Sequence, residues 1–148
     1  MTRTELTRLI LDSKRAKRLS YAAIADALDR DRVWTTAALL GQHPFDPEAA
    51  DRLVELLELP GDAEASALLQ EVPLRGSFDQ LPPSDPTVYR FYEVLQVYGP
   101  AIKALIHEDF GDGIMSAINF NLAIDRVPHP DGDRVKVTLE GKFLPYHW

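Results

Sequence analysis

Apolar residues recur at helical spacing through the first half of the chain and at alternate positions near its C-terminus. Leu6, Leu9, Ile10 and Ser13 fall on one face of a first helix, and basic residues gather toward its end, where the helix dipole favours them. Ser20 is placed to cap a second helix that carries Ile24 and Leu28. A third helix is expected from about Arg32 to Leu40, stopping at Gly41. Asp46-Pro47-Glu48 supplies a cap, a first-turn proline and a first-turn acid for a fourth, with Leu53, Val54 and Leu57 on one side. A fifth is expected from about Ala63 to Val72, ending at Pro73.

The stretch GSFDQLPPSDP, Gly76 to Pro86, is rich in turn formers and reads as a linker. Asp85-Pro86 then opens a long helix, which Gly99-Pro100 is expected to interrupt before it resumes to about Asp109. After Gly111-Asp112-Gly113 the period drops to two. Ile114, Ser116, Ile118, Phe120, Leu122 and Ile124 alternate with more polar positions, and Val135, Val137 and Leu139 do the same in a second strand.

The pattern predicts an α+β chain in two domains. Residues 1–80 form a five-helix bundle domain, and residues 81–148 form a small domain of helix plus two strands. A lone hairpin is marginal, so the second domain is expected to be intertwined with a second chain.

Composition narrows the chemistry. The chain has no cysteine, which excludes disulfides, thiolate nucleophiles and Cys-based metal sites and fits a reducing, cytoplasmic setting. The mixed N-terminus is neither a secretory signal nor a membrane span. Net charge is −7, spread unevenly: residues 1–40 hold eight basic and five acidic side chains, residues 41–80 two and nine, and residues 81–148 six and nine. That balance argues against tight nucleic-acid binding, which needs a clustered basic face. His43, His107, His129 and His147 show no metal-ligand spacing, so no metal is assigned; His107 reads as a helix-end residue facing the dipole.

On a helical wheel, Val88, Phe91, Tyr92, Leu95 and Tyr98 gather on the side expected to face the chain's own core. Arg90 and Glu93 lie opposite, three residues apart and therefore neighbours, among Tyr89, Val94 and Val97. A helix that is apolar nearly all round is covered on both sides, which puts this pair at an interface. Spacing alone favours a surface ion pair, and for Ser116, near a strand start, a hydroxyl that caps a turn.

The runs YRFYEVLQVYG, IKALIHEDFGDGI and SAINF, with weaker similarity at Pro73–Gly76 (PLRG) and Gly141–Pro145 (GKFLP), resemble the signature of cyanate hydratases, or cyanases. The resemblance implies catalytic roles for Arg90, Glu93 and Ser116. It implies conversion of cyanate and bicarbonate to carbamate and carbon dioxide, with carbamate then yielding ammonia. It implies no metal or organic cofactor, bicarbonate being a co-substrate, and a homo-oligomer, a decamer of five dimers with sites shared between chains.

A rival reading comes from Ser20 to Gly41, which looks like a helix-turn-helix of the repressor type and would make the chain a DNA-binding regulator. Its second helix offers Arg32, Trp34, Thr35 and Thr36 and then turns apolar, too few contacts for a recognition helix. A packing module without nucleic-acid partners is the preferred reading of this segment.

Overall fold

The computed structural model describes residues 1–74 and 81–147, and the chain divides into two compact units, Met1–Gly76 and Ser77–Trp148. The expected linker falls partly outside the described residues, at positions 76–80.

The first unit contains α1 (Arg3–Ala16), α2 (Tyr21–Ala27), α3 (Arg32–Leu39), α4 (Pro47–Leu57) and α5 (Asp62–Gln70). Local side chains set four of the five starts. Thr2 and Glu5 form a capping box on α1, and Ser20, Asp31 and Asp46 accept from Ala23, Trp34 and Ala49 amides. Each helix contributes an apolar stripe to one core that includes Leu6, Ile10, Ile24, Leu39, Leu53, Leu57 and Leu69, all at most 1% exposed. Arg3 ties the helices at one end: its guanidinium donates to the carbonyls of Leu68, Ala38 and His43 at 2.8, 3.2 and 3.1 Å. Burial lowers the pKa of Arg3 from its ordinary value.

The second unit contains α6 (Pro86–Phe110), β1 (Gly113–Val127) and β2 (Arg134–Pro145). Asp85 caps α6 by accepting from Thr87 and Val88 amides. The expected break at Gly99-Pro100 is absent, and α6 runs through Pro100 as one helix. Proline inside a helix gives up one hydrogen bond and crowds both the carbonyl four residues back and the residue before it; Gly99 has no Cβ, which removes part of that crowding and lowers the cost of continuing.

β1 and β2 pair as an antiparallel ribbon with one irregularity. Met115 pairs with Phe143 and Phe120 with Gly141, so β1 advances five positions where β2 moves back two. Three extra residues are thus absorbed in a bulge. An odd excess flips the side-chain parity. Met115, not Ile114, therefore shares a face with Phe120, Leu122 and Ile124, which corrects the uninterrupted alternation expected from the sequence.

The two units differ sharply in burial. Among the described residues, the buried aliphatic and aromatic side chains lie between Leu6 and Leu69 apart from Pro83, while α6 buries none. Phe91, Leu95 and Tyr98, expected to face the chain's own core, are 49%, 58% and 58% exposed. A two-stranded ribbon is too small to cover the helix.

Candidate active site

Arg90 and Glu93 sit in the first two turns of α6, where the Asp85 cap fixes the helix start. The Arg90 guanidinium donates to Glu93 Oε2 at 2.9 Å and its Cζ lies 5.7 Å from the Tyr89 ring centroid. Both side chains are more than half exposed within the single chain. As a solvated pair this contact contributes roughly 0.2–1 kcal/mol. Only one of the five guanidinium N–H groups is used on Glu93, which leaves the planar fork available for an anion.

Ser116 is built differently. It is 8% exposed and lies in the β1 bulge. Its Oγ accepts from the amides of Ile118 at 3.1 Å and Asn119 at 2.9 Å, so the hydroxyl holds the bulge in shape. A serine oxygen has two lone pairs and one proton. With both lone pairs facing amides, the O–H is left as a donor. The turn-capping role and a role toward an anion are therefore compatible, and the first prepares the second.

Two further residues shape this segment. His107, in the last turn of α6, places Nε2 3.1 Å from the Gly113 carbonyl oxygen and Nδ1 3.4 Å from Asp112 Oδ1. A carbonyl only accepts, so Nε2 is the donor of that contact. The Tyr146 ring meets His107 edge-on and Phe110 packs on Phe143, fastening the helix end to the ribbon. Gly141 lies opposite the bulge, where an added Cβ would fall 2.2 Å from the Ser116 carbonyl oxygen. Sequence reading assigned His107 only to the helix dipole and missed Gly141, although a glycine inside a strand pattern is a signal of close backbone approach.

The structure joins Arg90 to Glu93. Among the described residues, neither is a hydrogen-bond partner of Ser116. Arg90 and His107 lie seventeen positions apart on α6, about 25 Å of helix at 1.5 Å per residue. Ser116 belongs to the far end, three residues beyond the Gly113 that His107 anchors.

The helix-turn-helix-like segment has its side chains otherwise engaged. Trp34 stacks on His43 and meets Phe45 edge-on, with the Arg30 guanidinium over its ring and paired to Asp46. Thr35 is fully buried, and Thr36 Oγ1 donates to the Arg32 carbonyl. Among the described residues no group of three or more His, Asp or Glu side chains is placed to hold a metal ion, and no helix is long and apolar enough to cross a membrane.

Two family models match, "Cyanate hydratase, N-terminal" over residues 3–73 and "Cyanate lyase C-terminal domain" over residues 80–148. A cyanate hydratase of Mycolicibacterium vanbaalenii is 60% identical across 148 residues, covering 100% of this chain and 95% of the relative. One from Thiobacillus denitrificans is 53% identical, covering 99% and 98%. The crystal structure of cyanase from T. urticae superimposes with a TM-score of 0.80 at 39% identity, covering 94% of this chain and 96% of that one.

Proposed function

The chain belongs to the cyanate hydratase family, and we propose that its lyase activity is the bicarbonate-dependent decomposition of cyanate at a site shared between subunits, with Arg90, Glu93 and Ser116 as catalytic residues. The observation that carries the shared site is the placement of Arg90 and Ser116 toward opposite ends of α6. A second copy packed antiparallel on the helix brings one chain's Arg90 toward its partner's bulge. The apolar surface of α6, none of it fully buried in a single chain, supports such packing.

The assembly is a homo-oligomer, a decamer of five dimers, in which the second unit is intertwined with a partner and the first, a five-helix bundle of repressor-like outline, serves packing. The ring stack of Trp34, the burial of Thr35 and the Thr36 hydrogen bond, all within their own unit, favour this over a DNA-reading role. A cytoplasmic setting accords with the lack of cysteine.

Cyanate and bicarbonate are both anions, so the first task is to hold like charges together. Arg90 offers a charged fork to their oxygens, and symmetry supplies more than one copy. Glu93 orients that fork through the 2.9 Å contact. A bicarbonate oxygen attacks the cyanate carbon, and holding them in line supplies up to about 7–11 kcal/mol of the barrier. Negative charge moves onto the cyanate nitrogen and oxygen, where the Ser116 O–H donates.

The nitrogen gains two protons, one from the bicarbonate and one from the medium. The C–O bond between the bridging oxygen and the former bicarbonate carbon then breaks. That step releases carbon dioxide and leaves carbamate. Carbamate takes up one more proton and splits into ammonia and a second carbon dioxide. Every electron pair stays within the substrates, so no redox or organic cofactor is called for. Ammonia release from cyanate, measured with and without bicarbonate, tests the scheme: strict dependence is expected, and its absence in an assembled protein removes the reading.

A further inference from the structure

Gly141 is in van der Waals conflict with any side chain. A Cβ there would lie 2.2 Å from the Ser116 carbonyl oxygen, 2.6 Å from Met115 Cγ and 3.3 Å from the Ser116 carbonyl carbon. Gly141 is not among the glycines with positive φ, so its backbone is open to any residue and the demand for glycine is spatial. To restore ordinary contact at 3.4 Å the Ser116 carbonyl would have to retreat by 1.2 Å, the difference between 3.4 and 2.2.

The atom displaced belongs to the residue whose hydroxyl closes the bulge. Ser116 Oγ is held by the Ile118 and Asn119 amides, so the carbonyl cannot retreat without turning Oγ or breaking those two bonds. Reacting geometry is intolerant of such shifts: a misplacement of about 1 Å costs about a hundredfold in rate.

We propose that Gly141 is a positioning residue for the reaction, its missing side chain letting β2 press against the Ser116 carbonyl and aim the Ser116 O–H. The inference rests on the reading of Ser116 as a donor to the substrate.

The test compares the full-length protein with Gly141→Ala and Ser116→Ala by assembly state, cyanate kinetics and hydrogen exchange. Gly141→Ala is expected to assemble, to lose about a hundredfold in kcat with little change in KM, and to show faster exchange at the Ile118 and Asn119 amides while residues 122–127 stay protected. A Gly141→Ala protein with normal kcat overturns the positioning role, and so does one that loses activity with unchanged exchange at those two amides. Failure to assemble makes Gly141 a folding residue and overturns it as well. Full activity in Ser116→Ala instead removes the donor reading on which the inference stands, so the two failures are told apart.

Discussion

The Arg90 guanidinium meets the Glu93 carboxylate at 2.9 Å while both side chains remain more than half exposed in the single chain. An exposed pair is nearly indifferent to loss of either partner, whereas a pair desolvated between subunits is not. Arg90→Leu is expected to leave assembly intact and abolish turnover. Arg90→Lys keeps the charge but loses the fork and should lower kcat by about 10²–10³-fold. Glu93→Gln, which keeps a hydrogen-bond acceptor, should fall between wild type and Arg90→Lys. Steady-state ammonia release read beside light scattering checks all three. Wild-type kinetics in Arg90→Leu would end the assignment.

Val97 is 64% exposed in the single chain. At a solvated position Val97→Asp would change stability by no more than about 0.5 kcal/mol. In a subunit interface it buries an unpaired charge and splits the assembly. The expected result is a smaller species on size exclusion with no cyanate turnover, its first unit still folded by circular dichroism. An active assembly of unchanged size would show that this face of α6 meets water.

Glu5 closes the capping box of α1, accepting from the Thr2 amide at 2.6 Å and the Thr2 hydroxyl at 3.0 Å. The amide contact chiefly, then the hydroxyl, holds its carboxyl below the ordinary value of 4.5. A carboxylate with a depressed folded pKa stabilises above its unfolded value and loses that contribution as pH falls through the folded one. Glu5→Gln should therefore lower Tm at neutral pH, with the difference shrinking as the solution is acidified below about pH 4.5. A constant Tm gap across that range would contradict the charged cap.

Leu53 is fully buried in the first unit. Leu53→Ala is expected to cost about 2–5 kcal/mol in urea unfolding of that unit. A loss below about 1 kcal/mol would mean that the core collapses around the missing atoms.

What the sequence revealed, and what it hid, follows from how local each determinant is. The caps Ser20, Asp46 and Asp85 act within three residues of themselves, so those helix starts were readable. The ends of α1, α2 and α4 were not, because they close through left-handed Arg18, Asp29 and Glu58 in place of glycine. Pro100 looks like a break in the sequence because the relief given by Gly99 depends on an atom that is missing. The β1 bulge was invisible since Ile114, Ile118 and Phe120 keep an apolar alternation straight across it.

Arg90 and Glu93 were legible as neighbours from spacing, and family resemblance singled them out. The two amides on Ser116 Oγ and the crowding at Gly141 depend on register between distant strands, which no local pattern carries.

The three-residue excess in β1 also limits how this segment can change in length. Because three is odd, the legs on either side of the bulge present opposite parities to β2. Removing or inserting one residue between Ser116 and Asn119 would make the excess even, and an even excess keeps Met115 on the side of Leu122 and Ile124 by plain alternation. One-residue length variants that keep the ribbon's faces must therefore lose the reversal of alternation that the Ser116 hydroxyl closes.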